Sequence, residues 1–494
     1  MGDLVIKQVA NHGLYFTDLS HRTLQLVYTT LNNDEWLVTL PSEQPITAHV
    51  RLVLPDYGYC WLTADSQGEG YVGGKIDLLA EVWQSQLARV QRLAIQYQQS
   101  VDLASVMSQW QAGAGLAALT GIVVIGEDLE LAHAQNAIAH PAPNNKRCNP
   151  LISATLFQCG PSWLQLDPIQ KPDILRPQAQ WPLISAVANC TVLPCFWGWV
   201  EYQRGQLLWE PLDRIAAYAA ENHMLLKSFA ICWGGCLPPW FRELDFTDQL
   251  LAIEHWACAL IQRYGQQIDI WEFVNEMHDW NFANPLLWNH EQILQITRLV
   301  SEVVGGLAPG KPRVINNCLV WGEYVQEGKG GGPWIPLTYL EEVIAAGIAF
   351  EGIGLQWIFR YAGQENRDLL ECALHLERFA SLDKALYLTE MGVPASPLPR
   401  GASADAPLDA AVGWRGTWTA ERQAAWLEAW YTIAASHGVV FMNWWDFADQ
   451  DAFIVNGGMV DADGRPKLVY YRWLDVCARN RWGRFSNNKQ NEKV

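Results

Sequence analysis

The stretch Ile268-Asp-Ile-Trp-Glu-Phe-Val-Asn-Glu276 decides the fold that we predict for this chain. Five of its first seven residues are apolar, which is typical of a short strand buried on both faces. The run ends at Asn275-Glu276, after which the sequence turns polar and aromatic. A β/α barrel keeps its chemical groups at the carboxyl ends of its strands, so we expect Glu276 at the mouth of such a barrel.

A second segment has the same form. Ala385-Leu-Tyr-Leu-Thr-Glu390-Met-Gly-Val-Pro394 is a short apolar run that reaches a glutamate and then breaks at glycine and proline. Hydrolysis of a glycosidic bond uses one carboxylic acid and one carboxylate. Two glutamates at the ends of two buried strands therefore favour this chemistry.

From about residue 150 the sequence alternates between strand and helix patterns, which predicts a closed (β/α)8 TIM barrel rather than an open sheet. The predicted strands are 151–157, 190–196, 225–233, 268–274, 313–318, 350–356, 385–389 and 439–445. The predicted helices are 212–222, 248–264, 290–304, 337–346, 367–380 and 420–437.

Residues 1–145 are predicted to form a β-rich, sandwich-like accessory domain. Its predicted strands are 23–30, 36–40, 46–54 and 59–64, followed by a long helix over 76–99. Residues 140–146 are rich in proline and asparagine and predict a linker to a catalytic domain over 150–480, with a polar tail at 481–494. The accessory domain is interpreted as carbohydrate-binding, or equally as a structural lid or packing domain.

The composition favours a neutral ligand. The 494 residues carry a formal net charge of −18, which argues against nucleic acid or an anionic membrane as partner. The 26 tryptophans exceed what a core requires, and indole rings suit stacking on sugars, although most of them are expected to serve packing. The oligomeric state cannot be predicted from these features.

Eleven cysteines without a CxxC pair indicate mostly buried thiols in a reducing compartment. The start Met-Gly-Asp-Leu-Val-Ile lacks the basic region and apolar core of a signal peptide. The apolar run 112–126 is too short and too rich in glycine to span a bilayer. A cytoplasmic location is expected, and a secreted protein that has lost its leader is the alternative.

Seven stretches of the barrel region resemble, in strand order, those of family-10 glycoside hydrolases, the retaining endo-β-1,4-xylanases. Among them are Trp271-Glu-Phe-Val-Asn-Glu276 and Leu388-Thr-Glu390. The resemblance implies that Glu276 is the general acid/base, that Glu390 is the nucleophile, and that Asn275 binds the sugar 2-hydroxyl. It also implies carboxyl groups roughly 5–5.5 Å apart, the separation of a retaining enzyme.

Five further residues are candidate sugar contacts, and each of them has a purely structural role as its alternative: Trp197, Trp233, Asn316, Gln356 and Trp445. Glu201 is interpreted either as a ligand or as a loop anchor. No cofactor or metal is expected, because Asp461-Ala-Asp-Gly464 lacks the remaining ligands of a calcium loop.

The sequence departs from the family in two groups of positions. The family's sugar-binding Glu, Asn, Lys, His and Gln are replaced by apolar or small residues at Val192, Leu193, Phe196, Gly234 and Cys236. Its His and Asp that support the nucleophile are replaced by Ile358 and Gly392. These departures predict a more apolar site and leave the identity of the glycan open.

The function predicted from the sequence is therefore a retaining glycoside hydrolase that cleaves β-glycosidic bonds of a polysaccharide or oligosaccharide, with endo-1,4-β-xylanase-like activity. Two alternatives remain at this point. One is a catalytically weak or inactive barrel that binds carbohydrate, and the other is a transglycosylase that acts on a β-glycan other than xylan.

Overall fold

The amino-terminal part of the chain contains two four-stranded sheets. The computed structural model describes residues 3–7, 13–32, 35–40, 44–140, 150–158, 174–278, 282–326, 334–359, 366–399 and 408–479. The strand orders are β4-β5-β1-β8 and β3-β2-β6-β7. The strands are β1 (Asp3–Lys7), β2 (Gly13–Asp18), β3 (Thr23–Leu24), β4 (Tyr28–Asn32), β5 (Glu35–Thr39), β6 (Ile46–Leu54), β7 (Gly58–Ala64) and β8 (Gly74–Asp77).

Three helices follow these strands: α1 (Leu78–Gln96), α2 (Ala104–Gln111) and α3 (Gly115–Ala139). The predicted long helix is confirmed as α1, but it begins at Leu78 because residues 74–77 form β8 and Asp77 caps the helix by accepting the N–H of Ala80. Helix α3 was not predicted. It packs against α1 and α2 and also against barrel helices, so it is apolar on several sides and shows no clear 3.6-residue stripe.

The second part of the chain is an eight-stranded parallel barrel, which confirms the predicted fold class. Its strands are β9 (Leu151–Ala154), β10 (Cys190–Pro194), β11 (Leu225–Phe229), β12 (Trp271–Asn275), β13 (Arg313–Asn317), β14 (Gly352–Ile358), β15 (Ala385–Gly392) and β18 (Phe441–Trp444). Parallel bridges from Lys227 to Ile270 and from Cys232 to Val274 join β11 to β12 and close the barrel. Two short strands, β16 (Leu398–Pro399) and β17 (Leu408–Asp409), follow β15 and pair with each other in antiparallel orientation.

The helices of this part surround the barrel. They are α4 (Trp181–Val187), α5 (Trp197–Val200), α6 (Glu210–Glu221), α7 (Phe246–Tyr264), α8 (His290–Leu307), α9 (Pro336–Ala345), α10 (Leu369–Ala380), α11 (Ala420–Ser436) and α12 (Leu468–Arg479). All eight predicted strands and all six predicted helices are found, with their ends displaced by a few residues. Boundaries move because the fraying of an element end depends on tertiary contacts that a periodic pattern does not contain.

The two parts of the chain share one continuous hydrophobic core. Buried Glu127 on α3 lies at their junction and accepts hydrogen bonds from Tyr57 (2.9 Å), from the indole of Trp414 (2.7 Å) and from Arg415 (2.7 Å). Because Trp414 and Arg415 lie in the segment between β15 and α11, the amino-terminal part supports a loop at the carboxyl ends of the barrel strands. Residues 141–146 of the predicted linker and the predicted tail at 481–494 lie outside the described residues, so the domain boundaries stay a prediction.

Candidate active site

Glu276 follows directly after β12, where the chain leaves the barrel wall. Its φ of 55° lies in the left-handed region, which a non-glycine residue adopts only when its surroundings impose it. The backbone N–H of Glu276 donates to the carbonyl of Asn316 at 2.9 Å, which fixes this turn against the next strand. The turn aims the carboxylate at the barrel mouth, where it accepts from Trp233 Nε1 (2.8 Å) and from Gln356 Nε2 (2.6 Å).

Glu390 lies within β15 and its side chain is buried, with 6% exposed. It pairs in strand register with Gln356, the residue that donates to Glu276. The amide of Asn316 donates to Glu390 Oε1 at 3.5 Å. The two predicted glutamates are therefore joined through shared neighbours at the same end of the barrel. The separation of 5–5.5 Å between their carboxyl groups stays a prediction.

The side chain of Asn316 has a fixed orientation. Its Oδ1 accepts from the backbone N–H of Asn317 at 3.0 Å and from the hydroxyl of Thr389. Because the oxygen is held by these two donors, the NH2 group of the amide must face Glu390. A donor aimed at a carboxylate favours its charged form, which is the form that a nucleophile needs.

Asn275 is fully buried at the end of β12, and both polar atoms of its side chain lack a hydrogen-bond partner within the described part of the chain. A buried amide without partners is unfavourable by about 1–3 kcal/mol, so its presence beside Glu276 indicates a function. Such an amide is suited to bind a ligand hydroxyl, as the sequence predicted for Asn275.

An aromatic cluster lines one side of the barrel mouth. The ring of Trp233 lies 5.6 Å from Phe229 and 5.9 Å from Phe196, and Trp445 lies 5.4 Å from Phe229 and 6.0 Å from Phe157. These residues follow or end four adjacent strands, β9, β10, β11 and β18. The structure therefore places Trp233 and Trp445 together at the mouth and makes this side of the site apolar.

Trp197 lies in a different cluster. Its ring stacks on Trp256 at 5.8 Å and packs against Phe241, and its indole N–H donates to Glu201 at 2.7 Å. Glu201 also accepts the backbone N–H of Gly205 at 2.8 Å, which is the contact of a loop anchor. These contacts are those of packing residues, and the sugar contact predicted for Trp197 stays a prediction.

The two departures near Glu390 face each other. Ile358 and Gly392 are direct partners in the register of β14 and β15. A Cβ atom at position 392 would overlap the Cδ1 atom of Ile454, so Ile454 takes the space that a larger side chain would need. An apolar side chain from the loop after β18 thus packs against β15 at the position where the resemblance implied a polar residue.

Asp446 fixes the loop after β18, and this role was not predicted from the sequence. Its buried carboxylate accepts the backbone N–H groups of Phe453 (3.0 Å) and Ile454 (2.7 Å). Burial raises the pKa of Asp446 to about 6, against the effect of these two hydrogen bonds. The acidic residue within the aromatic run Trp444-Trp445-Asp446-Phe447 was the available signal.

A buried ion pair lies deeper in the barrel. Lys227 on β11 and Glu272 on β12 are 1% and 0% exposed and contact each other directly. Burial raises the pKa of Glu272, while the Lys227 ammonium opposes this effect. The sequence signal for this ion pair was one charged residue, Lys227 or Glu272, inside each of two predicted buried strands, since a charge buried in a core is normally paired.

A model of one family describes the barrel region. The model for glycosyl hydrolase family 10 matches residues 195–476, which is more than half of the chain. The chain belongs to glycosyl hydrolase family 10. Both glutamates of this family-10 chain, and the aromatic residues Trp233 and Trp445, fall within the matched region.

Curated relatives of the family-10 chain are named as xylanases. Endo-1,4-beta-xylanase B of Thermotoga neapolitana is 23% identical over 198 residues, which cover 40% of this chain and 55% of the relative. Endo-1,4-beta-xylanase B of Cellvibrio japonicus is 38% identical over 80 residues, which cover 16% of this chain and 13% of the relative. The chain thus spans about half the length, or less, of the curated relatives it matches.

A solved structure supports the fold of the family-10 chain. The structure described as GH10 from Paenibacillus barcinonensis aligns with a TM-score of 0.50 at 16% identity, over 67% of this chain and 96% of that chain. Across the described ranges, no cluster of three or more His, Cys, Asp or Glu side chains is placed to hold a metal ion. The helices among these residues are too short or too polar for any of them to cross a membrane.

Proposed function

We propose that the chain is a retaining glycoside hydrolase that cleaves β-glycosidic bonds of a polysaccharide or oligosaccharide, with endo-1,4-β-xylanase-like activity. The observation that carries the proposal is the pair Glu276 and Glu390 at the carboxyl ends of β12 and β15, with Asn316 contacting both residues. Membership of family 10 and the names of the relatives support the same activity.

The proposed reaction has two steps. Glu390 attacks the anomeric carbon while Glu276 gives its proton to the glycosidic oxygen, so the leaving sugar departs as an alcohol and a covalent glycosyl-enzyme forms. Glu276, now a carboxylate, then takes a proton from water, which attacks the same carbon and releases Glu390. Two inversions at one carbon give a product with retained configuration.

The neighbours of the two glutamates suit these steps. Trp233 and Gln356 hold the carboxylate of Glu276 in position, and the NH2 group of Asn316 supports negative charge on Glu390. The amide of Asn275, which has no hydrogen-bond partner among the residues that the structure describes, is available for a sugar hydroxyl. Hydrogen bonds of this kind to the 2-hydroxyl strengthen in the transition state of glycoside hydrolysis.

The nucleophile is tested by trapping it. We expect an activated 2-deoxy-2-fluoro-β-xylobioside to raise the intact mass by one fluoro-xylobiosyl group, on the peptide that carries Glu390, and Glu390→Gln to stay unlabelled. Proton NMR of the first product formed from a xylo-oligosaccharide should show the β-anomer. The first-formed α-anomer, or labelling at another carboxylate, would overturn the retaining assignment.

The acid/base is tested by comparing leaving groups. Glu276→Gln should lower kcat/KM on xylan by roughly 10²–10⁴-fold, the usual contribution of general acid–base catalysis. The first step with an aryl β-xyloside that has a good leaving group needs little protonation and should be lowered much less. Equal losses on both substrates would contradict this role for Glu276.

A second candidate function is a carbohydrate-binding barrel with weak or no catalysis. The apolar contact of Ile358, Gly392 and Ile454 beside the nucleophile favours it, because the family's polar support is missing there. Binding of glycans without turnover by the wild type, across β-xylans and β-glucans, would select this function over hydrolysis.

A further inference from the structure

Phe282 is an exposed aromatic residue beside the proposed acid/base. It follows β12 on the loop after Glu276, and 48% of it is exposed. Its ring lies 5.6 Å from the ring of Trp233, at an interplanar angle of 57°. Trp233 in turn donates to the carboxylate of Glu276 at 2.8 Å. An exposed ring therefore contacts Trp233, which in turn contacts the group that would protonate the glycosidic oxygen.

The position of Phe282 depends on two glycines after β11. A Cβ atom on Gly235 would lie 2.5 Å from Cε1 of Phe282, and a Cβ atom on Gly234 would overlap the carbonyl oxygen of Ala283. Any side chain at either position would displace the loop. The absence of side chains at Gly234 and Gly235 thus makes room for Phe282 and for the backbone that follows it.

The residues that follow Phe282 on its carboxyl side are firmly anchored. Ala283, Asn284 and Trp288 are each at most 3% exposed. The side chain of Asn284 accepts the N–H of Trp288 at 2.9 Å and donates to its carbonyl at 2.8 Å. The indole of Trp288 donates to Gln249 on α7 at 2.8 Å. The backbone on the carboxyl side of Phe282 is therefore fixed, while half of the surface of Phe282 meets solvent.

We propose that Phe282 is a substrate-binding residue whose ring stacks on the apolar face of a pyranose unit bound next to Glu276. This inference rests on the proposed function. The face of an aromatic ring is weakly negative and the C–H groups on the flat face of a β-linked pyranose are weakly positive, so the two surfaces attract each other and exclude water.

The experiment measures glycan binding in the inactive Glu390→Gln protein. Xylo-oligosaccharides and β-1,4-gluco-oligosaccharides of four to six units are titrated by calorimetry. Phe282→Ala should raise the Kd roughly tenfold. This is the change expected if binding a sugar buries about half of the phenylalanine ring and the substitution removes that contact. Phe282→Tyr keeps the ring and should retain the affinity.

Leu287→Ala is the matched control, because Leu287 lies on the same loop and is 76% exposed without an aromatic ring. It should leave the affinity unchanged. Equal binding by the Phe282→Ala and parent proteins, with equal melting temperatures, would overturn the role of Phe282 and leave the proposed function standing. Absence of binding by the parent protein to every glycan would overturn both.

Discussion

The side-chain amide of Gln356 donates a hydrogen bond to the carboxylate of Glu276 across 2.6 Å, although Gln356 pairs in strand register with Glu390. One residue on β14 therefore lies between the two proposed catalytic groups and contacts one of them directly. With Trp233, it provides donors to both oxygens of the Glu276 carboxylate.

Gln356→Leu should lower kcat while KM changes little. The variant keeps a side chain of similar size but removes the amide that positions Glu276, and misplacement of a catalytic group by about 1 Å can reduce the rate by about 10²-fold. Steady-state kinetics on a xylo-oligosaccharide would measure the effect. Trp233→Phe, which removes the other donor, should act in the same direction. A kcat within twofold of wild type in both variants would contradict the positioning role.

Gly392→Ala should destabilise the protein. The new methyl group would overlap Ile454, and inserting a methylene-sized group into a packed core costs about 1–3 kcal/mol. In an Ile454→Ala background the same change should have a much smaller effect, because the space is then free. Urea unfolding of the four proteins measures this coupling.

Gly306→Ala is the control for the effect of an added methyl group. Gly306 lies in α8, and a Cβ atom there meets no neighbour within 4 Å. Alanine is the better helix former, so this variant should be neutral or slightly more stable. An equal loss of stability in Gly392→Ala with and without Ile454 would refute the proposed overlap.

Asp446→Asn should change how stability depends on pH. Burial raises the pKa of Asp446 to about 6 in the folded protein, whereas an unfolded aspartate has a pKa of about 3.9. The folded state then binds the proton more tightly, so this group favours folding fully below about pH 4 and loses that contribution as the pH rises through about 6. Asparagine cannot titrate and lacks this dependence.

The free energy of unfolding of wild type, relative to Asp446→Asn, should therefore fall by about 2 kcal/mol between pH 4 and pH 7, at about 1.4 kcal/mol for each unit of pKa shift. Urea unfolding at several pH values measures the difference. Asp461→Asn is the control, and the pH dependence that it removes should have the opposite sign. The backbone N–H of Arg465 lowers the pKa of the exposed Asp461 carboxylate. A difference between wild type and Asp446→Asn that does not vary with pH would rule out the titration.

Glu127→Ala should destabilise the whole chain by about 1–3 kcal/mol, the range for leaving buried hydrogen-bonding groups unsatisfied. The substitution leaves the Tyr57 hydroxyl, the Trp414 indole and the Arg415 guanidinium without their shared acceptor. Thermal unfolding should show one transition at a lower temperature.

Asp128→Ala is the matched control at the next position. The Asp128 side chain is 58% exposed and pairs with the same Arg415, so its loss should change stability by less than about 1 kcal/mol. Similar melting temperatures for the Glu127→Ala and Asp128→Ala variants would show that the junction does not depend on the buried carboxylate.

The sequence predicted the barrel because each strand is a short apolar run and the helices between them show a 3.6-residue period. It did not predict helix α3, since a helix packed on several sides has no polar stripe. It also did not predict that Asp446 fixes the loop after β18, because the partners of its carboxylate are the backbone N–H groups of Phe453 and Ile454. The acidic residue type in an aromatic run was a signal for a buried carboxylate, but its backbone partners arise from chain geometry and are not encoded in residue type.

The sequence by itself determined the fold class and the location of the two glutamates at strand ends. A carboxylate is unfavourable inside a core, so a glutamate at the end of an apolar run can be recognised from residue order alone. Only the tertiary structure decided which groups hold those carboxylates, that Ile358 and Gly392 face each other, and that Trp197 stacks on Trp256. These relationships join residues that are far apart in the chain, and they depend on strand register and turn geometry. A one-residue change in register would reverse which side chains face the site.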